Sequence, residues 1–271
     1  MTGNRWRGWG RFGEYEERLS VLDIYKSGTL DIKLASLLWL LMERRASVLV
    51  ASLPMLAGKT TILNILLDFL PPTIKQVHMN GLLEDFSFLS ETVPGETYLV
   101  ASEFSEDRMD YMWGPPAQRA FQLLENGYAI GGTIHARTAK EAMVLLHGYL
   151  QVPAETLGKM DAVVTLRATR GKTRFDEPIR RIDSISLILP HKDGLYLNII
   201  VSRELGTDTL VFPENKELED ALKQKFNLDN TNVPEEMDAK GKLLARLLVE
   251  GKTSSEEVKH AIKNYYHKHS Q

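Results

Sequence analysis

The sequence contains no cysteine, no strong excess of one charge and no apolar run as long as the ~18 residues of a membrane span. The absence of cysteine excludes disulfides and cysteine-ligated metal sites, and it suits a reducing compartment. A formal net charge of −3 provides no basic field for a nucleic acid, so no nucleic-acid partner is expected. Residues 1–18 lack the apolar stretch of a secretion signal. We therefore expect a cytoplasmic protein.

The composition that is present is that of a folded globular chain. Hydrophobic residues make up 43% and charged residues 25% of the 271 positions, which favours a buried core over disorder. That length is enough for one large α/β domain and a smaller appendage.

Helical and strand-like patterns alternate along the first 167 residues. Residues 30–45 have apolar positions at helical spacing behind a capping Asp31, and residues 47–52 (SVLVAS) are typical of a buried parallel strand. Further strands are predicted at residues 74–79, 98–102, 129–134 and 162–167, and further helices at residues 60–70, 116–126 and 138–149. This alternation predicts a mainly parallel sheet covered by helices.

The pattern changes after residue 167. Residues 180–189 and 196–201 predict a small antiparallel strand pair, and the chain after Pro213 is polar and helical. Thr253 and Glu256 have the spacing of a capping box that opens the last helix. We predict a flexible N-terminal arm over residues 1–29, an α/β domain over 30–205 and a C-terminal helical subdomain over 206–271.

Residues 57–61 (AGKTT) follow an apolar strand and open an apolar helix, which is the context of a phosphate-binding loop. Backbone N–H groups at such a helix start face the anion, and the helix dipole adds attraction. Lys59 is the candidate ligand of the β and γ phosphates, and Thr60 is a candidate Mg²⁺ ligand. Ala57, Gly58 and Thr61 complete the candidate nucleotide-binding set. Leu53 stands where the full pattern has its first glycine, so the match is incomplete.

Two further polar residues follow predicted strands. Glu103 comes after residues 98–102, where a carboxylate can orient Mg²⁺ or the attacking water, and His135 comes after residues 129–134. We predict catalytic roles for both and a metal-ligand role for Glu103 together with Thr60. An exposed glutamate and a structural histidine are the alternative interpretations. Glu84 and Asp85 form another carboxylate pair, which fits a metal site or an exposed turn equally well.

An ordered set of segments resembles the secretion ATPase superfamily of type II and type IV secretion and pilus motors, with the archaellum-type branch most similar. The segments are residues 37–51 (LLWLLMERRASVLVA), 58–64 (GKTTILN), 69–72 (FLPP), 98–103 (YLVASE), 127–135 (GYAIGGTIH) and 243–266. Residues 98–103 are similar to that family's atypical Walker B strand, and residues 127–135 to its histidine box. The resemblance covers roughly residues 20–271.

This resemblance implies a RecA-like P-loop ATPase that binds ATP and Mg²⁺. It also implies a hexamer, or a ring shared with a paralogue, that acts at the membrane through a platform protein and drives assembly or transport. Departures from the family include Leu53, Ser105 where an arginine is usual, and the absence of a large N-terminal domain. They predict impaired hydrolysis. The alternative function is a nucleotide-binding scaffold with little or no hydrolysis.

Overall fold

The computed structural model describes residues 18–53, 57–169, 178–192, 194–228 and 231–269. Its helices are α1 (Val21–Lys26), α2 (Ile32–Glu43), α3 (Lys59–Asp68), α4 (Gly114–Gln122), α5 (Ala139–Val144), α6 (Ala154–Leu157), α7 (Asn215–Phe226), α8 (Val233–Val249) and α9 (Ser255–His269). Its strands are β1 (Val48–Ala51), β2 (Lys75–His78), β3 (Thr97–Phe104), β4 (Ala129–Ile134), β5 (Ala162–Thr169), β6 (Ile179–His191), β7 (Gly194–Glu204) and β8 (Thr209–Val211).

All eight strands form one sheet in the order β2-β3-β4-β1-β5-β6-β7-β8. The pairings from β2 to β5 are parallel, and those from β5 to β8 are antiparallel. The mixed α/β class with a mainly parallel part is thus confirmed. The expected antiparallel pair is present as β6 and β7, but β8 adds a third antiparallel strand that the three-residue stretch was too short to reveal.

Strand β1 lies between β4 and β5 in the parallel part and is buried on both faces. Val48 and Val50 belong to the core under α1, α2, α3 and the C-terminal helices, whereas Leu49 and Ala51 belong to the core under α4, α5 and α6. Successive strand side chains point to opposite faces, so a strand with helices on both sides must be apolar throughout. This explains the continuous apolar run in the sequence.

Most local signals act where the sequence placed them. Asp31 caps α2 by accepting a hydrogen bond from the Leu34 N–H, and Gly127 ends the helical segment after α4 with a left-handed φ of 88°. Two expectations are wrong by one or two residues. Strand β3 continues through Phe104, so Glu103 lies inside the strand, and the last capping box joins Ser254 to Glu257.

The segment expected to be a flexible arm includes a packed helix. Residues 1–17 lie outside the described part of the chain, but residues 21–26 form α1. Ser20 and Asp23 make a capping box at its start, and Val21 and Leu22 are buried. From Ser20 onward the chain therefore belongs to the folded domain.

The C-terminal helices share the core of the α/β domain. Trp39 of α2 stacks on Phe69 and donates a hydrogen bond from Nε1 to the Tyr266 hydroxyl of α9, 2.9 Å away. The same hydroxyl lies 2.6 Å from the Phe69 carbonyl oxygen. Buried Lys240 of α8 lies 2.8 Å from Glu43 of α2. Helix α9 is thereby fixed to the helices that flank β1.

Helix α2 is strongly apolar and is buried along nearly its whole length, but it has only 12 residues. A membrane span needs ~20 residues at 1.5 Å rise per residue. Among the described residues, no helix combines the length and the apolarity that a bilayer crossing requires.

Candidate functional site

The candidate site lies at the carboxyl edge of the parallel strands. Strand β4 lies between β3 and β1 with parallel pairing on both sides, so their carboxyl ends meet at one edge. Glu103 is near the end of β3, His135 follows β4, and Ser52 follows β1. Ligands of open α/β sheets bind at this edge. Three separate stretches of sequence thus converge on the start of α3.

The described part of the candidate phosphate loop has two features that suit anion binding. Gly58 is the N-cap of α3 with φ 90° and ψ 15°, a left-handed conformation that favours glycine. Lys59 is the first residue of α3 and is only 7% exposed, whereas Thr60 is exposed and Thr61 is half-buried. The N–H groups at the start of α3 have no helical partner of their own and are available to a phosphate.

The flanks of this loop are described less completely. Ala57 is buried, and residues 54–56 lie outside the described part of the chain. Leu53 is 39% exposed and does not have the positive φ seen at Arg45, Phe86, Gln151, Asp208 and Asn227. The residue at the first-glycine position is therefore not in a left-handed conformation in this structure.

Lys59 points toward the strand ends instead of toward solvent. Its Nζ lies 3.6 Å from Glu103 Oε2, 3.2 Å from His135 Nδ1 and 3.4 Å from the carbonyl oxygen of Ser52. Burial lowers the pKa of the Lys59 ammonium, and the negative charge of Glu103 opposes that shift. A cation is thus held among acceptors at the position where a phosphate would bind.

Glu103 contacts both Lys59 and His135, and these three residues form the charged cluster of the candidate site. Glu103 is 7% exposed, its Oε1 lies 2.5 Å from His135 Nε2, and the Thr133 hydroxyl lies 3.1 Å from its Oε2. The exposed-glutamate interpretation is wrong for Glu103, since its carboxylate faces inward. The structure brings Lys59, Glu103 and His135 together, as their proposed roles require. Thr60 lies one residue further along α3, at the surface.

Thr133 is a member of the cluster that the sequence analysis missed. Its hydroxyl lies 2.8 Å from the Ser102 carbonyl oxygen and 3.1 Å from Glu103 Oε2. Strand periodicity supplied a signal, because residues two apart on β4 share a face and Thr133 precedes His135 by two. A hydroxyl between two strands was not distinguishable from an ordinary buried threonine.

Arg180 of β6 is a second missed residue. Its Cδ and Nε lie 3.3 Å and 4.0 Å from the position that a Cβ on Gly58 would occupy. Arg180 is held from behind, because its carbonyl oxygen accepts hydrogen bonds from the Thr29 hydroxyl and from Arg181 Nη1. A guanidinium 122 residues after Gly58 leaves no local sequence signal beside the candidate phosphate loop.

The carboxylates of Glu84 and Asp85 accept hydrogen bonds from backbone N–H groups of the turn in which they lie. The two carboxylate oxygens of Glu84 accept hydrogen bonds from the Asn80 and Phe86 N–H groups, and Asp85 accepts one from the Ser87 N–H. Of the two interpretations left open for this pair, the turn agrees with these contacts.

The chemistry of the donor set fits a nucleotide and Mg²⁺. The described residues contain no cluster of three or more His, Asp or Glu side chains suited to a metal. Mg²⁺ at nucleotides uses one or two protein groups together with phosphates and water. Thr60 and Glu103 are the residues that would supply that partial set. When bound, Mg²⁺ would neutralise charge on the phosphates, while Lys59 and the start of α3 hold them.

No protein-family model matches the chain. An uncharacterised protein of Methanocaldococcus jannaschii is 25% identical over 270 residues, covering 91% of this chain and 98% of that protein. The VirB11 ATPase of the Brucella suis type IV secretion system, solved with sulphate, aligns with TM-score 0.37 and 14% identity over 74% of this chain. The Legionella pneumophila ATPase DotB aligns with TM-score 0.35 and 12% identity over 82% of this chain. The chain spans 57% of the VirB11 structure and 62% of the DotB structure.

Proposed function

We propose that the chain is an ATP-binding motor subunit of a type II or type IV secretion or pilus-like system. It would couple ATP hydrolysis to assembly or transport through a membrane platform protein. The observation that carries this proposal is the convergence of Lys59, Glu103 and His135 beside the left-handed Gly58 at the start of α3.

The first step of the proposed mechanism is that Lys59 exchanges its ion-pair partner Glu103 for a phosphate of the nucleotide. Without nucleotide its ammonium is neutralised by Glu103, 3.6 Å away. A γ phosphate carries more negative charge than one carboxylate and sits on the helix N-terminus, so it competes for Lys59. Binding would then release Glu103 from the lysine.

The released carboxylate is the candidate general base. Glu103 remains oriented by Thr133 and by His135, whose Nε2 lies 2.5 Å from Oε1. A carboxylate held in this way can orient or deprotonate an attacking water in line with the phosphate. His135 contacts both Lys59 and Glu103, so it can sense whether the phosphate has separated them.

The assignment to secretion or pilus systems is the second part of the proposal. It depends on the ordered resemblance of residues 37–51, 58–64, 98–103 and 127–135 to that superfamily. The hexameric or mixed ring, the platform protein and the peripheral membrane position are parts of the proposal that follow from this resemblance alone.

A nucleotide-binding scaffold is the second candidate. Leu53 stands in place of the first glycine of the loop. Ser105 stands where the family that the chain resembles usually has arginine, and its hydroxyl lies 2.5 Å from Asp107 Oδ2. A site without that glycine and without that arginine can bind phosphates through Lys59 and the start of α3 and still hydrolyse ATP slowly.

Titration with ATP and with a non-hydrolysable analogue, followed by phosphate release with Mg²⁺, separates the two candidates. Glu103→Gln keeps the size of the side chain and removes its charge. For a motor, the parent binds and hydrolyses ATP, and Glu103→Gln binds but releases at least tenfold less phosphate. For a scaffold, both bind and neither hydrolyses. Failure of the parent to bind either nucleotide contradicts both candidates.

A further inference from the structure

The outer edge of β7 is largely without a strand partner. Strand β8 pairs with β7 only at Ser202, Arg203 and Glu204. Among the described strands, residues 194–201 therefore have a neighbour on the β6 side alone. Eight residues of strand, about 27 Å at ~3.4 Å per residue, present backbone N–H and C=O groups outward.

The composition of this edge lacks the usual protection. Residues 195–201 (LYLNIIV) contain no charge and no proline, and five of the seven are leucine, isoleucine or valine. At the opposite edge of the sheet, β2 has only four residues and starts with Lys75. Proteins protect free edges with short strands, lysine or proline, because an open apolar edge templates pairing with another chain.

Exposed apolar side chains lie on both faces of the sheet at this edge. Tyr196 and Ile199 of β7 are 54% and 61% exposed, and Leu205 and Val211 beside them are 73% and 48% exposed. These apolar groups flank the open backbone edge, and a strand added there would cover part of them.

We propose that residues 194–201 pair antiparallel with the same edge of a second copy of this chain. The uncharged segment is preceded by Lys192 and Asp193 and followed by Arg203 and Glu204, so each end carries one charge of each sign. Counted outward from the segment, the order of the signs is reversed between the two ends. An antiparallel pair therefore brings opposite charges of the two copies toward each other, whereas a parallel pair would bring like charges together. Such a contact uses the same surface on both copies and generates a two-fold dimer.

This contact is separate from the nucleotide site. Two strands, β5 and β6, lie between β1 and β7. At ~4.8 Å per strand, the β7 edge is about 14 Å from β1 across the sheet. The dimer should therefore form without ATP, and it differs from the head-to-tail contact that closes a ring.

The molecular mass of the full chain without nucleotide, measured by light scattering over a concentration series, tests the pairing. The parent should reach the mass of two chains. Ile199→Lys places a charge on the open edge and should raise the dimer dissociation constant at least tenfold. Val249→Lys, at an 89% exposed site on α8, is the matched control and should dimerise as the parent does. A parent that stays monomeric, or a dimer that Ile199→Lys leaves intact, overturns the proposal.

Cysteine crosslinking provides a second measurement that does not depend on the lysine variant folding. The chain has no cysteine, so single variants at Tyr196, Leu197, Asn198 and Ile199 each add one thiol. Disulfides need Cα atoms about 4.4–6.8 Å apart, and opposed antiparallel residues lie ~4.5–5.5 Å apart. At least one variant should form a covalent dimer under mild oxidation, and Val249→Cys should not. No crosslink at any of the four positions contradicts the pairing.

Discussion

Lys59 is a buried cation whose charge is balanced within the domain. It is 7% exposed and lies 3.6 Å from Glu103, and a bound phosphate would take over that contact. Lys59→Ala should weaken binding of an ATP analogue ~10–100-fold, because hydrogen bonds to charged groups contribute about 1.5–3 kcal/mol. Calorimetric titration measures the change, with Lys75→Ala of the exposed β2 edge as the control. Equal affinity of Lys59→Ala and parent would rule out the phosphate-loop assignment.

Arg180 extends the site from the antiparallel strands, since its side chain lies against Gly58. We expect Arg180→Gln to weaken binding of the ATP analogue about fivefold to tenfold, less than Lys59→Ala, because a half-buried guanidinium is partly screened by solvent. Arg246→Gln, on the exposed side of α8, should bind like the parent. If Arg180→Gln also binds like the parent, the guanidinium has no contact with the nucleotide.

Leu53 tests whether the loop changes conformation on binding. Its φ is not positive in this structure, so any cost of a left-handed backbone arises only in the bound state. That cost is ~1–2 kcal/mol for a non-glycine residue, about one order of magnitude in affinity. Leu53→Gly should therefore tighten analogue binding up to about tenfold in a paired titration. An unchanged dissociation constant would mean that position 53 keeps its present conformation when nucleotide binds.

At the scale of elements, α8 is held on α2 by a buried ion pair. Lys240 is 1% exposed and lies 2.8 Å from Glu43, with Glu236 at 3.7 Å. Removing one partner of a buried pair costs about 3–5 kcal/mol, because the other charge stays buried without compensation. Lys240→Met should lower the melting temperature by several degrees.

The same helix provides the control for this measurement. Lys242 pairs with Asp238 at 2.5 Å, but its side chain is 76% exposed. Lys242→Met should leave the melting curve unchanged. Equal melting temperatures for both variants would show that the Lys240 pair does not contribute to stability.

At the scale of the whole molecule, the resemblance to ring-forming motors predicts a nucleotide-dependent oligomer, either a hexamer or a ring shared with a paralogue. Thr60, beside buried Lys59, is exposed to solvent at the candidate nucleotide site, where a neighbouring chain can contribute groups. Adding an ATP analogue and Mg²⁺ should therefore raise the native mass above that of the nucleotide-free protein. A mass that nucleotide does not change at high protein concentration would count against a ring.

Ile199→Lys distinguishes the two kinds of association. The β7 edge lies away from the carboxyl edge at which Lys59 lies, so this variant should weaken the nucleotide-free dimer at least tenfold and retain the nucleotide-dependent mass increase. Loss of both would mean that one surface serves both assemblies.

Local sequence determined the elements and the identity of the candidate ligands. Asp31 marks the start of a helix by side-chain capping, and Gly127 marks the end of a helical segment by its left-handed backbone. The apolar run of β1 predicted a strand buried on both faces. Each of these signals depends only on residues close together in the sequence, so the sequence alone is enough to predict them. Lys59 was identifiable for the same reason, because a phosphate loop is one contiguous strand-loop-helix motif.

Only the tertiary structure decided how distant residues meet. The strand order places β4 between β1 and β3, and that order puts His135 within 3.2 Å of Lys59 and within 2.5 Å of Glu103. The burial of Glu103, the approach of Arg180 to Gly58 and the packing of α9 on Trp39 depend on contacts across many tens of residues. Interactions between such distant segments form only when the strands have assembled into one sheet. A pattern within a few neighbouring residues therefore does not predict them.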